Sequence, residues 1–380
     1  MTTAISNSAN LPDPRNTVAG WSFSAEDLRS ALEGQILLNP SIDLSNACNL
    51  NCAYCFIEEK NSSRKVRRPD ELTIEEITEV LRDFAAAGAR TVNIVGAGEP
   101  TIDPYFKQVI TAIAELRLTP FLFTNGIRLA KDAEMVDLLY STGTTVVLKY
   151  NSIDHSLQDL VAGQAGYAEQ RDRALANLLS RGFAKSTPTR LALDVMAFQG
   201  NYCQLPAIHR LCRTRNIHPL IADFIPTGRT EGGAFVGHAS SQDLDPRARE
   251  RLANVLRPLE DHQRLGLFQE LKAMDASEFG IYRGDRHAYY SGGVCTQSLG
   301  LYVDIQGNIW PCVARSKIVA GKRTTGWLGN IRLGARPSVL WKTHAYLHEV
   351  RAAFTGACDY KPVLVASAQL LPITSLSRQA

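Results

Sequence analysis

The sequence predicts an α/β protein built on a parallel sheet, and two observations carry that prediction. Six short apolar runs recur between residues 41 and 228: SIDLS (41–45), TVNIVGAG (91–98), TPFLFTNG (119–126), TTVVLKYNS (144–152), TRLALDVMAF (189–198) and PLIADFIPTG (219–228). They are rich in Val, Ile, Leu and Phe and bounded by Gly, Pro, Asn or Thr, as strands buried on both faces are. Amphipathic segments separate them, and strand–helix units in series give a parallel β/α sheet. Periodicity alone leaves open whether that sheet stays open or curls into a partial barrel.

The elements have local reasons of their own. TIEEITEVLRDFAAAG (73–88) opens with Thr73 and Glu76 in capping-box spacing and ends at Gly88, a C′ glycine. Ile74, Ile77, Leu81 and Phe84 recur at helical spacing and give it one apolar face. Residues 1–40 read as a leader with a helix at SAEDLRSALEG, and residues 41–230 as the β/α domain. Residues 231–288 read as a polar connecting segment, helical near LDPRARERLANVLRPLEDH. Residues 289–380 read as a second, smaller unit. It contains a hairpin, GLYVDIQGNIWPC (300–312), with Gln306-Gly307-Asn308 at its turn.

Composition narrows the function. The chain is 45% apolar and 21% charged with a net charge of +3, which gives no strongly basic face for nucleic acid. The N-terminus lacks the basic-then-apolar run of a signal peptide, and no apolar run reaches the length of a membrane span. The expectation is a cytoplasmic protein, where thiols stay reduced and clustered cysteines bind metal.

Such a cluster is present. SNACNLNCAYCF (45–56) holds Cys48, Cys52 and Cys55 in C-x3-C-x2-C spacing, just past the first strand. The carboxyl end of a strand is where β/α folds build active sites. Three thiolates on one loop suit an iron–sulfur cubane whose fourth iron has no protein ligand. A zinc site is the alternative, and it wants a second close Cys or His pair that the sequence does not offer.

CNLNCAYC resembles the cysteine loop of the radical S-adenosylmethionine (SAM) enzymes, with the aromatic Tyr54 before the last cysteine. Further strings resemble that family's motifs in order. GAGEP (96–100) is similar to its G-G-E-P, with Ala97 for the second glycine; FTNG (123–126) is similar to its third-strand motif, and IPTGR (225–229) falls at its sixth strand. GAGEPT is not a dinucleotide loop, because the third glycine is missing and Pro100 falls inside the window. The resemblance implies a partial (β/α)6 barrel. It also implies a [4Fe–4S] cluster whose open iron chelates SAM, yielding a 5′-deoxyadenosyl radical that removes a substrate hydrogen. The cofactor contacts it implies are Tyr54, Gly96, Gly98, Glu99 (to the methionine ammonium), Thr124, Asn125, Lys149, Asn151 and Ile225. The alternative for Thr124 and Asn125 is a tight turn.

Lys149, Asp194 and Asp223 interrupt apolar strands and are candidates for catalysis or substrate contact, the alternative being strand-end charges paired within the protein. Cys203 is a candidate hydrogen-atom donor, with a structural role as its alternative; Cys212 reads as packing. Cys295, Cys312 and Cys358 resemble the ligands of a SPASM or twitch domain, which implies an auxiliary iron–sulfur cluster. The terminal C-x2-C pair of that domain is missing, so a fourth ligand is unassigned. The alternative is a structural hairpin with Cys358 incidental.

The forty residues before the first strand look too short for a leader-recognition domain. The expected substrate is therefore a small polar molecule, a sugar, amino sugar or aminocyclitol of antibiotic biosynthesis, undergoing oxidation, epimerisation or dehydration. The alternatives are maturation of a ribosomally made peptide and a non-enzymatic iron–sulfur sensor. An electron donor such as flavodoxin or ferredoxin is expected. Arg64, Lys65, Arg67 and Arg68 are its candidate docking site, or else an ordinary solvated loop.

Overall fold

A computed structural model of the chain describes residues 13–56, 66–226, 228–233, 246–281, 298–313, 318–319, 322–323 and 326–352. Cys295, Cys358, Arg64 and Lys65 lie outside the described residues. All six expected strands form, and they pair in parallel and in chain order. They are β1 (Ser41–Ile42), β2 (Thr91–Ile94), β3 (Thr119–Thr124), β4 (Thr145–Lys149), β5 (Leu191–Ala197) and β6 (His218–Asp223).

Helices α1 (Ala25–Leu32), α2 (Ile74–Ala86), α3 (Phe106–Glu115), α4 (Ala133–Ser141), α5 (His155–Ala162), α6 (Tyr167–Arg181) and α7 (Leu205–Thr214) lie along this part of the chain. The capping box of α2 forms as its sequence dictates, with Thr73 Oγ1 accepting from Glu76 N and Glu76 Oε2 accepting from Thr73 N. Gly88 then takes a φ of +87°.

The sheet has two faces with different roles. Val92, Ile94, Leu122, Val146, Leu148, Leu191, Leu193, Val195 and Ile221 join the main core with the helices. Phe121, Val147, Ala192 and Leu220 alternate with them and form a separate inner cluster. The leader plugs that inner cluster. Val18 bridges Thr189 in parallel, Val18 and Trp21 join the cluster, and the Trp21 ring stacks on Phe121 at 4.3 Å between centroids. Trp21 Nε1 also donates to Asn93 Oδ1 at 2.9 Å. One layer nearer the strands' carboxyl ends, Phe123, Lys149, Asp194 and Met196 share the inner register.

The polar connecting segment contains two helices, α8 (Pro246–Val255) and α9 (Asp261–Phe279). Beyond it, the hairpin of β7 (Tyr302–Val303) and β8 (Asn308–Trp310) forms around a Gly307 with φ +79°. It does not stand apart from the barrel. Strand β7 pairs in parallel with β1, and β8 pairs with β11 (Gly329–Asn330), giving a nine-stranded sheet of order β11-β8-β7-β1-β2-β3-β4-β5-β6. A short pair, β9 (Ile318–Val319) and β10 (Lys322–Arg323), and helices α10 (Pro337–Thr343) and α11 (Ala345–Ala352) complete the described C-terminal part. The edge of β1 away from β2 is thus covered by the hairpin.

Candidate active site

The cysteine loop follows β1 directly and is held from three sides. Glu99 N donates to Ala47 O at 2.7 Å, which joins the loop after β2 to it. A Cβ at Gly98 would overlap the Ala47 carbonyl, and Gly96 adopts φ +86°, so both glycines are required by backbone approach within the protein. The motif's glycines thus seat the cysteine loop, a role that GAGEP read alone does not reveal. From the other side, Arg229 N donates to Cys55 O at 3.1 Å. The buried Arg229 guanidinium donates to Asn51 Oδ1 at 2.6 Å and Cys52 O at 2.9 Å. Gly228, at φ +59°, lies against the backbone of Phe56.

Glu99 is almost wholly buried and takes four hydrogen bonds. Its Oε1 accepts from Thr101 N, Thr101 Oγ1 and Thr124 Oγ1 (3.2, 2.6 and 2.6 Å), and its Oε2 accepts from Asn125 N at 2.7 Å. Burial pushes its pKa up, and these donors oppose the shift. Asn125 Nδ2 reaches Asn49 Oδ1 at 2.8 Å, and Tyr167 OH donates to Asn125 O at 3.0 Å. Thr124 and Asn125 therefore form both a turn, with Asn125 Oδ1 accepting from Ile127 N, and a cradle that ties strand three to the cysteine loop.

None of the six described cysteines is in a disulfide. Burial and the neighbouring Cys52 raise the Cys48 thiol, and burial pushes Cys52 up to about 12, opposed by Tyr54, Arg229 and Lys149. Cys48 and Cys52 pack against one cluster of Leu50, Ile127, Ala162 and Tyr167, and Cys55 N donates to Cys52 O at 3.2 Å. Among the described residues, no three His, Cys, Asp or Glu side chains are already gathered as metal ligands. The donor set still fits an iron–sulfur cluster: three thiols on one turn, braced by two cations, with no second Cys or His pair to close a zinc tetrahedron. Tyr54 is half-buried, lies beside Cys52 and packs against the cluster of Ala53, Phe198, Phe224 and Leu252.

Lys149 and Asp194 face each other across β4 and β5 and form an ion pair inside the barrel, with Lys149 Nζ 6.0 Å from the Phe123 ring centroid. Asp223 alternates with them in register, sharing its face with Ile221, which packs toward the helices. Asn151 is fully buried. Its Oδ1 accepts from Met196 N at 2.9 Å, which fixes the amide, and its Nδ2 finds no partner among the described residues. Ile225 is half-buried past β6. Cys203 is exposed on the turn after β5, Cys212 is buried, and Cys312 is buried at the end of β8. Arg67 proves to be internal: it pairs with Asp103 at 2.6 Å, donates to Leu44 O and lies over the Tyr105 ring, bracing the loop's base. That correction removes one charge from the docking patch the sequence suggests.

The family model for the Radical SAM superfamily matches residues 42–194, the stretch from β1 to the ion pair. These residues match a radical SAM domain, and members of that superfamily use a [4Fe–4S] cluster and SAM. Among relatives, the chain is 27% identical over 228 residues to the mycofactocin maturase MftC of Mycobacterium ulcerans, covering 60% of this chain and 56% of MftC. It is 29% identical over 142 residues to an S-adenosylmethionine-dependent nucleotide dehydratase of Flammeovirga pacifica, covering 37% of this chain and 48% of the relative. The chain thus spans about half the length of these relatives. Streptococcus suis SuiB, solved bound to SAM, shares the fold with a TM-score of 0.56 at 17% identity, over 84% of this chain and 68% of SuiB. SuiB has also been solved bound to its precursor peptide SuiA. The expected sugar or aminocyclitol substrate finds no support in these likenesses, and the peptide alternative fits them better.

Proposed function

We propose that this chain is a radical SAM enzyme that modifies a peptide. The observation that carries the chemistry is the convergence of Cys48, Cys52 and Cys55 with Glu99, Thr124 and Asn125 on one hydrogen-bonded frame at the carboxyl ends of β1 to β3. The maturase MftC and the peptide-bound SuiB support the substrate class.

In this reading the three cysteines hold a [4Fe–4S] cluster, and Glu99, Asn125 and Asn151 bind SAM. When bound, these groups supply the 5′-deoxyadenosyl radical that takes a hydrogen atom from the substrate. Glu99 offers a carboxylate to an ammonium group, while Thr101 and Thr124 keep it oriented. Asn151 Nδ2 is a buried donor available to a ribose hydroxyl, since its own oxygen is already engaged. Lys149 and Asp194 form a paired, polar patch on an otherwise apolar inner wall and meet the substrate or the cofactor carboxylate there. In the same reading Cys295, Cys312 and Cys358 are the ligands of an auxiliary iron–sulfur cluster.

The test is anaerobic turnover of reconstituted protein with SAM and reductant, comparing precursor peptides with amino sugars and aminocyclitols. Peptide-stimulated 5′-deoxyadenosine with a mass change on the peptide is the expected result. Stimulation by the sugar pool alone would return the substrate to the small-molecule class.

A further inference from the structure

Asn151 is held more completely than the end of a strand requires. Beyond Lys149, the last residue of β4, the chain turns through Tyr150, Asn151 and Ser152 toward α5. Gln158, one turn into α5, sets that turn. Its Oε1 accepts from Asn151 N at 2.9 Å, from Ser152 N at 3.0 Å and from Arg171 Nη1 at 3.0 Å. Two successive backbone donors aimed at one oxygen fix the chain between them. Arg171, on α6, donates from the same Nη1 to Ser152 O at 2.6 Å, and its guanidinium lies 3.7 Å from the centroid of the Tyr150 ring. From the turn after β5, Asn201 Nδ2 donates to Asn151 O at 2.7 Å. With Asn151 Oδ1 held by Met196 N, Nδ2 is the one polar atom of Asn151 without a partner among the described residues. Asn151, Ser152, Gln158, Arg171 and Asn201 are all fully buried.

We propose that Gln158 and Arg171 are positioning residues for the nucleoside end of SAM, acting through Asn151, an inference that rests on the function proposed above. Both bond the backbone behind Asn151 and leave its Nδ2 to meet the ligand. An amide on a loose turn loses its freedom when it binds, whereas one already immobilised does not, so the frame raises affinity without touching the ligand. Chemistry selects the end of the ligand. Nδ2 is a neutral donor suited to a hydroxyl oxygen, while an ammonium group needs an acceptor such as Glu99. Gln158 is fitted to the task because one amide oxygen takes two backbone donors and a guanidinium together. An apolar side chain of similar length would strand those donors in the interior.

The experiment measures, by calorimetry on anaerobically reconstituted protein, the equilibrium binding of two fragments of SAM, 5′-deoxyadenosine and methionine. Gln158→Met should weaken 5′-deoxyadenosine by about tenfold or more and leave methionine within about twofold of wild type, since only the nucleoside end depends on Asn151. Gln158→Glu keeps the acceptor oxygens and pairs with Arg171, so it should bind both fragments within about threefold of wild type. Arg171→Lys keeps the charge but lacks the planar fork; it should repeat the selective loss, and it decides the matter should Gln158→Met not fold. Equal loss of both fragments would make the role merely structural and overturn the inference. So would unchanged 5′-deoxyadenosine binding in Gln158→Met and Arg171→Lys, or a loss in Gln158→Glu as large as in Gln158→Met. Wild-type protein that binds neither fragment would instead sink the reading of the active site, and this inference with it.

Discussion

At the scale of single residues, the site is a set of backbone and side-chain ties whose removal has separable effects. Gly98 lies against the Ala47 carbonyl, so Gly98→Ala must displace either the cysteine loop or the loop after β2. It should destabilise the protein by about 2 kcal/mol or more, the usual cost of overpacking a tight contact, read as a lowered urea midpoint. Arg229 makes a different tie, and Arg229→Gln should leave the fold intact but lower iron incorporation by releasing Asn51 and Cys52. Arg229→Lys should restore little, since an ammonium lacks the planar fork. Iron content equal to wild type in Arg229→Gln would show that the clamp is dispensable. The string GAGEP was legible in the sequence, as was IPTGR. That Gly98 and Arg229 serve the cysteine loop was not, because each contact joins residues remote in the chain.

At the scale of elements, the six strands and helix α2 follow directly from period, capping and bounding residues, and their ends agree with the runs to within a few residues. The leader shows where such reading stops. Helix α1 has a Ser24 N-cap, whose oxygen accepts from Asp27 N at 3.0 Å, and is visible in the sequence. Trp21 belongs to an irregular stretch with no period to betray it, yet it closes the bottom of the barrel on Phe121. Trp21→Ala should cost about 3 kcal/mol of stability, from the lost ring and the orphaned Asn93 Oδ1, and should leave cysteine-loop chemistry unchanged in kind. A thermal midpoint equal to wild type would show that the leader is only draped over the barrel. The hairpin is a similar case. Its turn is marked in the sequence by Gln306-Gly307-Asn308, although the turn itself spans Asp304 to Gly307 and Asn308 already opens β8, whereas its parallel docking on β1 depends on two-residue strands that carry no register signal of their own.

At the scale of the whole molecule, the C-terminal part is fastened to the barrel by the β1–β7 pairing and by ion pairs between α2 and the segment after β11. Arg332 bonds both carboxylate oxygens of Glu76 at 2.7 and 2.8 Å and holds its pKa below the model-peptide value of 4.5. A carboxyl depressed in the folded state stabilises it above the unfolded pKa, and that stability is lost as pH falls through the folded value. The pair is partly exposed, so its worth is about 1 kcal/mol at most. Glu76→Gln keeps the helix cap but loses the charge, so its stability deficit should be present at neutral pH and shrink as the pH falls below the ordinary glutamate range. A deficit independent of pH would assign the effect to packing.

The central claim is that Cys48, Cys52 and Cys55 hold the group at which SAM is cleaved. The most direct measurement is anaerobic product analysis of reconstituted wild-type protein and Cys52→Ala, each with SAM and dithionite. The account predicts methionine and 5′-deoxyadenosine in equal amounts from the wild type and neither from the variant. Sustained cleavage by Cys52→Ala would contradict it.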